Sequence, residues 1–131
     1  METNLKVGTV FTSEIEVTEE RSAKSIGSGG LLVFATPYMI ACMENASMLC
    51  VQPSLPEGSS TVGTKVDIRH IAATPLGMRV KTTAVLTAVE GRKLTFSVEC
   101  SDEKELIGKG THERFIIDID KFMTKTNSKK S

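Results

Sequence analysis

The chain has 131 residues, with 16 basic and 16 acidic side chains, 40% apolar residues and 24% charged ones. That is enough for one folded domain and too little for two. The balance of charge argues against a dedicated nucleic-acid binder, and the composition is not that of a disordered chain. The uncharged run from Ile26 to Met43 is broken by Gly27, Gly29, Gly30 and Pro37, so it does not supply the roughly 20 apolar residues of a membrane span. Met1–Lys6 leads into no apolar segment of the signal-peptide kind, and the expectation is a cytoplasmic protein that avoids membranes.

Residues Thr9 to Val17 alternate, with Phe11, Ile15 and Val17 on one side and Glu14 and Glu16 on the other, the period of a half-buried strand. An acidic connection, Thr18 to Ser25, leads to Ile26-Gly-Ser-Gly-Gly30. This stretch lacks the Gly-Lys-Ser/Thr ending of a phosphate loop and reads as a mobile lid or connector. Thr36 then suits a helix N-cap and Pro37 the first helical position, and the spacing predicts a helix over Tyr38–Val51 stopped by Pro53. Met39, Ile40, Ala41, Met43, Ala46, Met48, Leu49 and Val51 make it apolar all round, the pattern of a buried helix. Glu44 stands in its middle.

After a Pro/Gly/Ser loop, Pro53 to Ser60, period 2 returns. Thr64 to Ala73 sets Val66, Ile68, His70 and Ala72 opposite Lys65, Asp67 and Arg69. Met78 to Val89 alternates again. Glu90-Gly-Arg92 closes a hairpin, and Leu94, Phe96, Val98 and Cys100 share one face of the next strand. A last strand runs from Leu106 to Ile117. The Lys-rich tail, 121–131, reads as a helix end followed by disorder, beyond a domain of residues 1–120. One such sheet covers only part of an apolar helix unless it wraps around it, so the expected architecture is α+β with a second copy completing the cover.

Three cysteines, Cys42, Cys50 and Cys100, form no CxxC pair. Cys42 and Cys50 lie about 12 Å apart along one helix, beyond disulfide reach. Buried free thiols in a reducing compartment are expected, and no metal site.

Three residues stand out for chemistry. Glu44 is a carboxylate in an apolar helix, costly unless paired, hydrogen-bonded or used as a base or nucleophile. His70 lies on the apolar face of its strand; alone it reads more readily as a core residue, and it gains meaning as an acid–base partner if it meets Glu44. Thr36 is explained by capping, yet the start of a buried helix also offers N–H groups to a developing oxyanion. Thr36 and Glu44 are about 12 Å apart along a regular helix. They act together only across an extended substrate, through His70, or from two subunits. His112, on a strand without a clear inward face, reads as structural or interfacial.

The segments Val33-Phe-Ala-Thr36-Pro-Tyr-Met-Ile-Ala-Cys-Met-Glu44-Asn-Ala, Thr61-Val-Gly-Thr64, His70-Ile-Ala-Ala-Thr-Pro75 and Gly110-Thr-His-Glu-Arg-Phe115 resemble the hot-dog-fold thioesterases, in particular the fluoroacetyl-CoA thioesterase subgroup. The resemblance covers roughly residues 5 to 120. It implies an antiparallel five-stranded sheet in the order 1-3-4-5-2 wrapped around one long helix, and a homodimer with its active sites between subunits. It implies hydrolysis of an acyl-CoA to a free acid and coenzyme A without a cofactor, with Thr36, Glu44 and His70 catalytic and Gly63 and Arg114 at the acyl group. That subgroup carries lid phenylalanines ahead of the helix, where this chain has Gly27-Ser-Gly-Gly30, so a short or medium acyl group is expected instead of fluoroacetyl selectivity. The expected chemistry has Glu44 attacking or activating water, His70 moving the proton, and Thr36 with the helix-terminal amides holding the oxyanion. A covalent path through Thr36 stays open. The alternatives are a non-catalytic acyl-CoA-binding protein and a hot-dog hydratase or dehydratase; the latter needs a histidine ahead of the helix carboxylate, and none precedes Arg69.

Overall fold

The computed structural model describes residues 4–130, so the outermost ends of the expected domain and tail, 1–3 and 131, lie outside the described residues. In chain order, β1 (Val10–Glu16) is followed by a single 3-10 turn (Glu19–Arg21) and a one-turn helix α1 (Ala23–Ile26). The long helix α2 (Thr36–Val51) comes next, then β2 (Ser59–His70), β3 (Arg79–Glu90), β4 (Lys93–Ser101), β5 (Leu106–Asp118) and α3 (Ile119–Asn127). The five strands form one antiparallel sheet in the order β1-β3-β4-β5-β2. This is the α+β architecture expected, and Gly91 makes the β3–β4 turn at φ 64°.

The sheet curls around α2. Met39, Met43, Ala46, Cys50 and Val51 of the helix pack against Val80, Ala84, Leu86, Leu94, Phe96, Val98, Cys100, Ile107 and Ile116 of the strands, with Phe34 closing one end. Each fully buried large apolar side chain contributes about 1.5–3 kcal/mol, so this single cluster dominates the stability. Leu94, Phe96, Val98 and Cys100 are all fully buried, as their alternation predicts.

Four expectations need correction. Within one chain α2 is not buried on every side: Pro37, Ala41, Asn45 and Leu49 form an exposed stripe, because a single sheet can wrap only one face of a cylinder. β2 begins at Ser59, five residues before the alternation becomes legible, because a bulge between Gly63 and Lys65 inserts a residue and reverses the phase. Val66, beyond the bulge and in phase with Ile68 and His70, is still 43% exposed, because β2 is the edge strand of the sheet. The tail is helical as far as described: Asp118 accepts from the Lys121 amide and caps α3, and a 3-10 turn, Ser128–Lys130, follows it. Finally, the expected loop at Ile26–Gly30 begins as the last residue of α1, a turn capped by Ser22.

Candidate active site

α2 meets β2 at two separate places, its N-terminus and its middle, and each meeting point is an open cavity. Thr36 does not cap the helix. Ala35 holds the cap position with no side-chain bond, and Thr36 and Pro37 are the first two helical residues. The Thr36 hydroxyl is thereby free to face β2, where Oγ1 lies 2.6 Å from Nδ1 of His70. Met39 N–H to Ala35 C=O is the first helical bond there, so the amides of Thr36 and Tyr38 precede it. Phe34 N–H to Thr74 C=O and Ala35 N–H to Arg21 C=O pin the entry into the helix.

Nε2 of His70 is buried and has no hydrogen-bond partner among the described residues. Burial pushes the imidazole below its ordinary range, and the Ala72 backbone pulls it partly back, so the ring is neutral at pH 7. A neutral ring with one nitrogen on a hydroxyl and the other vacant can exchange a proton on both sides. Thr36 and His70 line a cavity of about 320 Å³ with Ala23, Ser28, Phe34 and Ala72.

Glu44, two turns further on, lines a second cavity of about 380 Å³ with Asn45, Met48, Thr61, Gly63 and Arg114. Gly63 stands directly opposite Arg114 across the β2–β5 ladder. The guanidinium passes over the glycine to Thr61, two residues along the same face: Nε donates to Thr61 Oγ1 at 2.7 Å and Nη2 to the Thr61 carbonyl at 2.9 Å. A Cβ on Gly63 would lie 3.1 Å from Glu44 Oε2, 3.2 Å from His112 Cε1 and 3.3 Å from Arg114 Nη1. The missing side chain is the point on which carboxylate, imidazole and guanidinium converge. Arg114 is 7% exposed; burial lowers its pKa and the neighbouring Glu44 carboxylate raises it again.

Thr36 and His70 are thus brought together, as are Glu44, Gly63 and Arg114. The expected meeting of Glu44 with His70 does not occur within the chain, because β2 faces each of them from a different turn of the helix. The imidazole near Glu44 is His112, which is 1% exposed. Its strand was expected to lack an inward face, yet His112, Arg114 and Ile116 all point inward. Polar residues on alternate positions hid this face from a reading based on apolar side chains. Thr61 was missed too, since its strand appeared to start later.

A curled five-stranded antiparallel sheet around one long helix is the hot-dog fold. The chain belongs to the fluoroacetyl-CoA-specific thioesterase family, whose pattern it matches over residues 17–120. It is 36% identical to the fluoroacetyl-CoA thioesterase of Streptantibioticus cattleyicolor, over 98% of this chain and 97% of that protein. Among solved structures, a fluoroacetyl-CoA thioesterase superposes with a TM-score of 0.91 at 36% identity, over 96% of this chain and 98% of the other. A thioesterase-superfamily protein from Thermus thermophilus superposes with a TM-score of 0.89 at 31% identity, over 95% and 93% of the two chains.

Proposed function

We propose that this chain is a thioester hydrolase that cleaves a short or medium acyl-CoA to the free acid and coenzyme A. The observation that carries the reading is the 2.6 Å contact between the Thr36 hydroxyl and a neutral His70 whose other nitrogen is vacant. It lies at a helix N-terminus suited to a developing oxyanion. Hydrolysis needs an attacking oxygen, stabilisation of the carbonyl oxygen, and a proton for the departing thiolate. In this reading Glu44 activates water or attacks the carbonyl, and His70 carries the proton. Thr36 and the first helical amides hold the oxyanion, while Gly63 and Arg114 receive the acyl group. No group beyond these side chains is required, and coenzyme A enters as part of the substrate. The lid segment Gly27-Ser-Gly-Gly30 has no side chain larger than serine, which favours a general acyl pocket over a fluoroacetyl-selective one.

The working unit is a homodimer. Both cavities lie where the edge strand β2 meets α2, and the second is bordered by Ala41 and Asn45 of the exposed stripe. A second copy laid along this edge would cover Ala41, Asn45 and Leu49, and would bring a Thr36–His70 pair toward a Glu44–Arg114 group. No helix of the described residues is long and apolar enough to cross a membrane, and the three free thiols fit a reducing cytoplasm.

The test is thiol release from a panel of acyl-CoAs of increasing chain length. Glu44→Ala and His70→Ala should each lose at least about 10²-fold in turnover, the usual share of an acid–base group. Full turnover in either variant would remove that residue from the mechanism. Acyl-CoA binding without thiol release at any chain length would favour a non-catalytic binding protein.

A further inference from the structure

His112 has been given no part in the chemistry, yet both of its ring nitrogens are committed. Nδ1 lies 2.7 Å from the Lys65 carbonyl oxygen, just beyond the bulge of β2. Nε2 lies 3.1 Å from Nη1 of Arg114. A guanidinium only donates and a carbonyl only accepts, so Nδ1 carries the hydrogen and Nε2 accepts from Arg114. This fixes one tautomer of a neutral ring; an imidazolium would set two donors against each other.

We propose that His112 is a positioning residue of the acyl subsite: it holds the Arg114 guanidinium over Gly63, beside Glu44. The proposal rests on the thioesterase reading for what Arg114 receives there, the acyl part of the thioester. Three of the five guanidinium N–H groups are spent on Thr61 and His112, which leaves two for a ligand oxygen or α-substituent. With Nη1 released, the guanidinium keeps only its Thr61 contacts and can swing about them.

The groups facing the ring are consistent with a neutral state. Burial lowers its pKa most. The Lys65 carbonyl raises it, Arg114 lowers it, and Glu44 of α2 and Glu113 of β5 raise it. From β4 the ring faces the uncharged Phe96.

Two substitutions separate positioning from a merely structural role. His112→Asn keeps a donor near Nδ1 for the Lys65 carbonyl but loses the acceptor for Arg114. His112→Gln places an acceptor near Nε2. With acetyl-CoA as the probe, His112→Asn should raise KM at least about fivefold with kcat changed less than about threefold, the sign of lost uniform binding. His112→Gln should recover most of that loss. In an Arg114→Gln background, His112→Asn should add less than about twofold, because residues acting through one another are not additive. Equal losses in both His112 variants, or additive losses in the double variant, would overturn the proposal.

A second measurement does not depend on turnover. Long-range proton–nitrogen NMR of the wild-type ring should show the neutral Nδ1–H tautomer from about pH 6 to 8; an Nε2–H tautomer or an imidazolium at pH 7 overturns the proposal. Should the wild type release no thiol from any acyl-CoA, the thioesterase reading falls, and the tautomer still decides the place of His112.

Discussion

Gly63 has no conformational need to be glycine, since its φ is not in the left-handed region. Its value is the space where Glu44, His112 and Arg114 come within 3.1–3.3 Å of an absent Cβ. Gly63→Ala should therefore disturb the proposed acyl subsite and leave the core alone: kcat/KM is expected to fall at least about tenfold with a stability change under about 1 kcal/mol. Thiol release and urea unfolding measured on one preparation would check both. A second expectation at this scale concerns pH. His70 and His112 are both held below their ordinary value of 6.5, chiefly by burial. In that case the unfolded chain binds more protons as the pH falls, so the stability the neutral rings provide is complete above 6.5. It is lost as the pH drops through the lowered folded values. Urea midpoints should decline on acidification in that window, and less steeply in His112→Gln; an identical slope in the two proteins would exclude His112 as a contributor.

Among the elements, α2 decides most. Its buried side is continuous with the sheet through Met39, Met43 and Ala46, and its opposite stripe is bare in the single chain. Met43→Ala should cost about 2–5 kcal/mol, the range for a large side chain removed from a packed core, read as a shift in denaturant midpoint. The helix itself was legible because Pro37 and Pro53 bracket a run of helix formers. The start of β2 was not, because a bulge looks in sequence like the end of an alternation. That one inserted residue sets Gly63 opposite Arg114, so the least readable stretch of the chain is also the one that shapes the cavity beside Glu44.

For the whole molecule, the proposed homodimer would use the exposed stripe of α2 and the edge strand β2. Leu49→Glu should hold the chain at its monomer mass of 14.2 kDa by light scattering, and should abolish thiol release if the two cavities work only when joined across subunits. A fully active monomer would show that each chain is sufficient. The cysteines make a separate check of the folded whole. Cys100 is pushed up to about 12 by burial, Cys42 and Cys50 are also raised chiefly by burial, and all three are free. The native protein should react slowly with a disulfide reagent and yield all three thiols on unfolding.

Apolar periodicity by itself determined the helix, most of the strands and the antiparallel sheet around them, because burial imposes a repeat of 3.6 or 2 on whatever is buried. It also singled out Glu44 and His70, polar groups in an apolar setting, while Thr36 stood out by its place at the helix start. Which of these meet was decided only by the fold. Helix and edge strand touch at two separated turns, so His70 joins Thr36 while Glu44 faces Arg114 and His112. Contacts between distant segments depend on register and bulges, and one residue more or less in β2 exchanges every partner without leaving a repeat in the sequence.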